Sequence, residues 1–244
     1  MAGKGLPGPV RLPILIPFSF LLILLSTASL SIYANAAALT EADALLEFKS
    51  TLSANGIEDA LGTWTPGSNP CAGDSSAWKG ILCSKEGKVW GIRLEQMGLS
   101  GQLNITPLVG LPSLRAVSFM DNAFSGPLPD FAQTGALKSL FLSNNQFSGE
   151  IPDGAFLGTR SLKKIFMSNN KLSGKIPSSL TVLTKLRFLR MDANDFVGEI
   201  PDLKQAGLQM LNLSFNHLEG RIPESLVDQD QTMFEGAGIF FSSK

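Results

Sequence analysis

One sixteen-position pattern, LxxLxLxxNxLxGxIP, returns six times between residues 89 and 223, with other apolar residues exchanging freely for leucine. Its second leucine position holds Ile92, Val117, Leu140, Ile165, Leu189 and Leu211. Two residues later stand Leu94, Phe119, Leu142, Met167, Met191 and Leu213. Asparagines follow at 122, 145, 170, 194 and 216, at intervals of 23, 25, 24 and 22, while the first copy has Met97 instead. A unit this short cannot bury its own apolar residues, so the copies must stack, each covering the next.

The physical content of each copy is readable. An LxL core with period two is a short strand with its leucines on one side and its intervening residues on the other. Stacked copies give a parallel sheet with one buried and one solvent-facing side. The asparagine turns the chain and its amide pairs with backbone groups of adjacent coils. Glycines at 101, 126, 149, 174, 198 and 220 permit a bend, and prolines at 129, 152, 177, 201 and 223 end a second extended stretch. These features define a leucine-rich-repeat α/β solenoid with its parallel sheet on the concave face. Residues 89–228 are assigned to the six repeats. Met97 is tolerable because a capping segment is expected against the first coil.

Residues 1–38 differ in kind. Lys4 and Arg11 precede an apolar run from Leu12 to Leu25, and Ala34, Ala36, Ala37 and Ala38 close it, the layout of a secretory signal peptide. Extended to Tyr33, the run from Leu12 is also long enough for an uncleaved signal anchor, against which Pro13, Pro17 and the alanines argue. With no second apolar span, the mature chain is expected to be extracellular with no membrane span. Residues 39–88 form a helical N-terminal cap. Leu39 to Ser53 reads as an amphipathic helix, with Thr40 and Asp43 at capping-box spacing. The only two cysteines, Cys71 and Cys83, are expected to form a disulfide worth about 3 kcal/mol in the chain-entropy model. Trp64 before that loop and Trp78 within it are expected to cover the open edge of the first coil.

Chemistry is scarce. A kinase needs a glycine-rich phosphate loop, a strand lysine and a catalytic aspartate loop, and none stands in order here. His217 follows Asn216 and reads as a solvated loop residue. No catalytic site, metal site or cofactor is expected. The net charge of −1 argues against a nucleic-acid partner. Function is therefore expected on the exposed sheet face. The position after the first leucine carries Arg115, Lys138, Lys163 and Arg187, and the position inside LxL carries Phe141, Phe166 and Arg190. Together they suggest a basic stripe beside two stacked phenylalanines, suited to a peptide with acidic side chains and an apolar anchor. The plain alternative is that these cations keep a sheet soluble. Six strands at about 4.8 Å spacing span about 24 Å, room for roughly seven extended residues. Sequons at Asn104 and Asn212 make both candidate glycosylation sites, and a glycan on Asn212 would block the last coil.

The segments ALLEFKSTL, WKGILC, LRAVSFMDNAFSGPLPDF, SGEIPDGAF and LKKIFMSNNKLSGKIPSSL resemble the extracellular region of plant leucine-rich-repeat receptor-like kinases, most closely the pollen receptor-like kinase group. The resemblance covers about residues 40 to 235 and implies a plant-type superhelix. It also implies a secreted peptide, a small cysteine-rich protein or a co-receptor ectodomain as partner, and a role in pollen tube signalling at the cell surface. Members of that group continue into a second cysteine-bearing cap, a membrane helix and a kinase. Here Phe234 to Lys244 stands where that cap would begin, so residues 229–244 are expected to be a truncated tail with Ile239, Phe240 and Phe241 partly exposed. The alternative function is a secreted inhibitor or defence protein that binds a foreign wall-degrading enzyme.

Overall fold

The computed structural model describes residues 40–53, 57–236 and 238–240, together with residues 1 and 3. It divides into two units, Met1–Ala38 and Leu39–Lys244. The expected signal segment lies in the first and, apart from Met1 and Gly3, outside the described residues. Among the described residues no helix is long and apolar enough to cross a membrane.

The second unit opens with helix α1 (Glu41–Thr51). Its capping box forms as the spacing predicts: the Asp43 N–H donates to Thr40 Oγ1 at 3.1 Å and the Thr40 N–H donates to Asp43 Oδ2 at 3.0 Å. Ala44, Leu45 and Phe48 turn inward, and the Phe48 ring lies 5.8 Å from that of Phe119 in the second coil. Cys71 and Cys83 are joined as a disulfide. Trp64 and Trp78 are almost fully buried and stacked 5.5 Å apart. Burial does not strand their indole N–H groups: Trp64 donates to the Lys79 carbonyl and Trp78 to Ser68 Oγ, both at 2.8 Å. Ile81–Cys83 pairs antiparallel with the first repeat strand, Val89–Arg93. Gly80 permits that approach, since a Cβ there would stand 2.5 Å from the Arg93 carbonyl oxygen and the backbone has φ +78°.

From that edge the repeats stack in parallel. Val89–Arg93, Ala116–Ser118, Ser139–Phe141, Lys164–Phe166, Phe188–Arg190 and Met210–Asn212 lie side by side in chain order. A second parallel sheet runs through the glycine positions, from Ser100–Gln102 to His217–Arg221. It occupies the expected second extended stretch, and at Gly174 the φ of +72° gives the repeat glycine its reason. Between the sheets lie the buried leucines, isoleucines, phenylalanines and methionines in one continuous core. His217 is exposed at the start of a strand of this second sheet, not in a loop as expected.

The asparagine ladder explains Met97. Each ladder asparagine reaches back one coil: Asn145 Oδ1 accepts from the Phe124 N–H at 3.1 Å, and its Nδ2 donates to the Phe119 carbonyl at 2.9 Å. Asn122 likewise accepts from the Met97 and Leu99 N–H groups and donates to the Leu94 carbonyl. The first coil has no repeat behind it to bond, so an asparagine at 97 would lack the partners that bury the others. The residue before each ladder position has a left-handed backbone: Gln96, Asp121, Asn144, Asn169, Ala193 and Phe215 all have φ between 53° and 59°. Three of these join in a second ladder on the surface, where Asn144 donates to Asp121 and Asn169 donates to Asn144.

Past the sixth coil the chain keeps the solenoid path. The Leu213 and Phe215 N–H groups donate to the carbonyls of Met233 and Glu235 at 2.9 and 2.6 Å. Phe234 is buried, and Gly238–Phe240 pairs in parallel with His217–Arg221. The side chains of Ile239 and Phe240, and all of Phe241, lie outside the described residues.

Candidate functional site: the exposed face of the first sheet

Strand geometry decides which side chains share the exposed face. In each coil the buried residue at the strand centre, Ile92 to Leu211, is flanked by two residues pointing the other way. The register aligns them in two rows. One runs Gly91, Ala116, Ser139, Lys164, Phe188, Met210, and the other Arg93, Ser118, Phe141, Phe166, Arg190, Asn212. Small residues in the first row toward the N-terminal coils give way to large ones.

Phe141 and Phe166 are register partners, as expected, but their rings meet edge to face at 5.1 Å and 77° and are not stacked. That arrangement suits the ring quadrupoles. Lys164 lies in the same face, its ammonium 5.1 Å from the centre of the Phe188 ring. The arginines of the second row are already engaged. Arg93 Nε donates to Glu95 at 2.8 Å, and Arg190 holds Asp192 through Nε at 3.2 Å and Nη2 at 3.1 Å. Each carboxylate also accepts from a serine one coil away, Ser118 to Glu95 and Ser168 to Asp192. Arg190, expected as a ligand-facing cation, is therefore part of an internal ion pair.

The four other expected cations form a separate rim. Arg115, Lys138, Lys163 and Arg187 each stand one residue ahead of a strand, so they do not share the face of the phenylalanines. Arg115 is half-buried and donates to the Pro112 and Leu114 carbonyls at 3.0 and 2.9 Å. Lys138, Lys163 and Arg187 are exposed and, among the described residues, have no carboxylate partner. Lys164 and Phe188 are the additions that sequence reasoning misses. The signal is there: period two puts the residue before each central leucine on the same side as the residue after it.

A shallow hollow of about 330 Å³ opens on this face, lined by Trp90, Arg93, Glu95, Ser139, Phe141 and Lys164 among others. A second hollow of about 340 Å³ lies among the turns, between Pro129, Phe131, Ile151, Pro152 and Phe156, and carries no cation. The first has the mix of apolar wall and converging polar groups that binding sites use. Both sequon asparagines form the same local turn: Asn104 Oδ1 accepts from the Thr106 N–H, and Asn212 Oδ1 from the Ser214 N–H. Asn104 is exposed on a connecting loop, whereas Asn212 ends the row of Phe141, Phe166 and Arg190.

Family models match three stretches: a leucine-rich-repeat N-terminal domain at residues 38–84 and leucine-rich repeats at 135–196 and 207–228. Pollen receptor-like kinase 2 of Arabidopsis thaliana is 46% identical over 197 residues, covering 81% of this chain and 29% of that protein. The crystal structure of a Pollen Receptor Kinase 3 superposes with a TM-score of 0.70 at 42% identity, covering 82% of this chain and 95% of that one. The ectodomain of the Arabidopsis receptor kinase HAESA, solved with a peptide hormone ligand, has a TM-score of 0.66 at 29% identity, covering 78% of this chain and 36% of that one. Cap, repeats and fold together define a plant leucine-rich-repeat receptor ectodomain. The chain belongs to the pollen receptor-like kinase family and corresponds to its leucine-rich-repeat region. It spans 29% of the length of pollen receptor-like kinase 2.

Proposed function

We propose that this chain is the ligand-binding extracellular part of a pollen-type receptor-like kinase, taking a secreted peptide or small cysteine-rich protein on the exposed face of the first sheet in pollen tube signalling. The observation that carries the reading is the contrast across each strand. The buried side is uniformly apolar, whereas the exposed side groups three phenylalanines around Lys164 between two internal ion pairs. A face with no task beyond solubility gains nothing from large, half-exposed rings. HAESA, which binds a peptide hormone, has a related fold, and that supports an extended peptide as the ligand. A co-receptor ectodomain would be a further partner for the edges of the solenoid.

A glycan on Asn212 would stand at the C-terminal end of the second row, so ligand contacts centre on the coils before it. In the test, the chain, expressed through a eukaryotic secretory route, is added to growing pollen tubes as a competitor for the native ligand. Wild-type protein is expected to blunt the growth response, and a Phe141→Ala/Phe166→Ala variant of equal melting temperature to lose most of that effect. Equal competition by the two proteins would contradict the reading.

A further inference from the structure

The exposed face also carries information about which peptide it takes, an inference that rests on the function proposed above. Two of the three cations on the face proper, Arg93 and Arg190, are held by Glu95 and Asp192. Lys164 alone among them, within the described residues, has no carboxylate partner. Its ammonium is held over the Phe188 ring, which orients the charge without neutralising it. The Phe166 ring of the same strand and the Phe141 ring one coil earlier make an apolar wall, and Phe141 and Lys164 line the same hollow.

We infer that Lys164, framed by Phe141, Phe166 and Phe188, selects extended peptides in which a carboxylate stands within two residues of a large apolar side chain. The apolar side chain packs on Phe141 while the carboxylate meets Lys164. Spacing sets the interval. Adjacent strands are about 4.8 Å apart and an extended peptide advances about 3.3 Å per residue, so groups over neighbouring coils are one or two residues apart. The arginine pairs on either side limit the charge that the face accepts. A peptide with several adjacent acids would meet Glu95 or Asp192 and be repelled, so one carboxylate is preferred over a cluster. The rim cations speed encounter with acidic ligands and do not set this spacing.

The test uses a random heptapeptide library displayed on phage, selected against the full chain, with Lys164→Gln, Lys164→Glu, Phe141→Ala and Lys138→Gln/Lys163→Gln variants alongside. Lys185→Gln, an exposed position on a turn, serves as control. Wild type and control are expected to enrich peptides with one Asp or Glu within two residues of Phe, Tyr, Trp, Leu or Met. Affinity for the most enriched peptide should fall about tenfold in Lys164→Gln. Lys164→Glu should replace the acid by Lys or Arg, and Phe141→Ala should retain the acid and lose the apolar residue. Enrichment without that pairing, or an acid preference that survives Lys164→Glu and disappears in Lys138→Gln/Lys163→Gln, overturns this inference and leaves the proposed function standing. Absence of any enrichment by the wild-type chain overturns both.

Discussion

The two ends of the stack are closed by different means. Toward the N terminus the first coil meets an antiparallel strand tied by the Cys71–Cys83 disulfide, two buried tryptophans and helix α1. Toward the C terminus the sixth coil donates two backbone hydrogen bonds to the Met233 and Glu235 carbonyls and meets the buried Phe234 and the three-residue strand Gly238–Phe240. One closure is covalent and apolar. The other, among the described residues, has no covalent tie and combines main-chain hydrogen bonds, each contributing about 1 kcal/mol net, with the buried Phe234 and the partly buried Met233. In a solenoid each coil is supported only by its neighbours, so opening is set by the weaker end. A uniform repeat therefore does not imply uniform stability.

The largest perturbation should come from the strong end. Replacing both Cys71 and Cys83 by alanine is expected to cost about 3 kcal/mol, read from denaturant melting. A loss below about 1 kcal/mol would show that the N-terminal closure does not depend on its covalent tie. The ladder should respond alike in the middle of the stack and at its C-terminal end. Asn145→Ala and Asn216→Ala each strip a buried amide that bonds two coils, and each should cost about 2 kcal/mol. A much smaller cost at Asn216 would place the asymmetry inside the stack as well as at its ends.

Phe215 sharpens the contrast from the other direction. It has φ +54° and is 63% exposed, so its ring gains little burial while its backbone holds a left-handed conformation. Four coils fill that position with Asn, Asp or Gln, of which Asn and Asp tolerate it well. Phe215→Asn should therefore raise stability by about 1 kcal/mol, seen as a higher melting temperature. A lower one would mean that the ring packs against the C-terminal segment more than its exposure suggests.

The smallest effect concerns acid. Hydrogen bonds from Ser178 hold the Asp153 carboxyl below its ordinary range, and Lys204 and Ser225 do the same for Asp202. Both aspartates bond a serine of the following coil. Since folding depresses these values, the stabilisation is present above the ordinary carboxylate pKa. It is lost as pH falls through the lower folded values, below about pH 4. Asp153→Asn should flatten the decline in melting temperature in that window, by lowering the melting temperature slightly at neutral pH and leaving it almost unchanged in acid.

Much of the scaffold is legible in the amino-acid sequence. Leucine rows, the asparagine ladder, the Thr40 capping box and the disulfide all depend on local spacing or on strict periodicity, which sequence displays directly. The left-handed row is not legible, because Ala193 and Phe215 carry none of the glycine signal that usually marks such a backbone. Coil closure imposes it. The proposed binding face is half legible. Phe141 and Phe166 stand out, but pairing them with the rim cations joins two rows that lie at different places on the coil. The Arg93–Glu95 and Arg190–Asp192 pairs are in principle visible, since residues two apart in a strand share a face. Lys164 gains its meaning only when those pairs remove its neighbours from consideration.

On the proposed function, the repeat supplies a common scaffold and the two exposed rows supply recognition. Grafting Ser139, Phe141, Lys164, Phe166, Phe188 and Arg190 onto the equivalent positions of the Pollen Receptor Kinase 3 ectodomain, then repeating the heptapeptide selection, tests it most directly. The graft is expected to acquire the single-acid, apolar-neighbour preference of this chain. A graft that folds and keeps the recipient's own preference would contradict it.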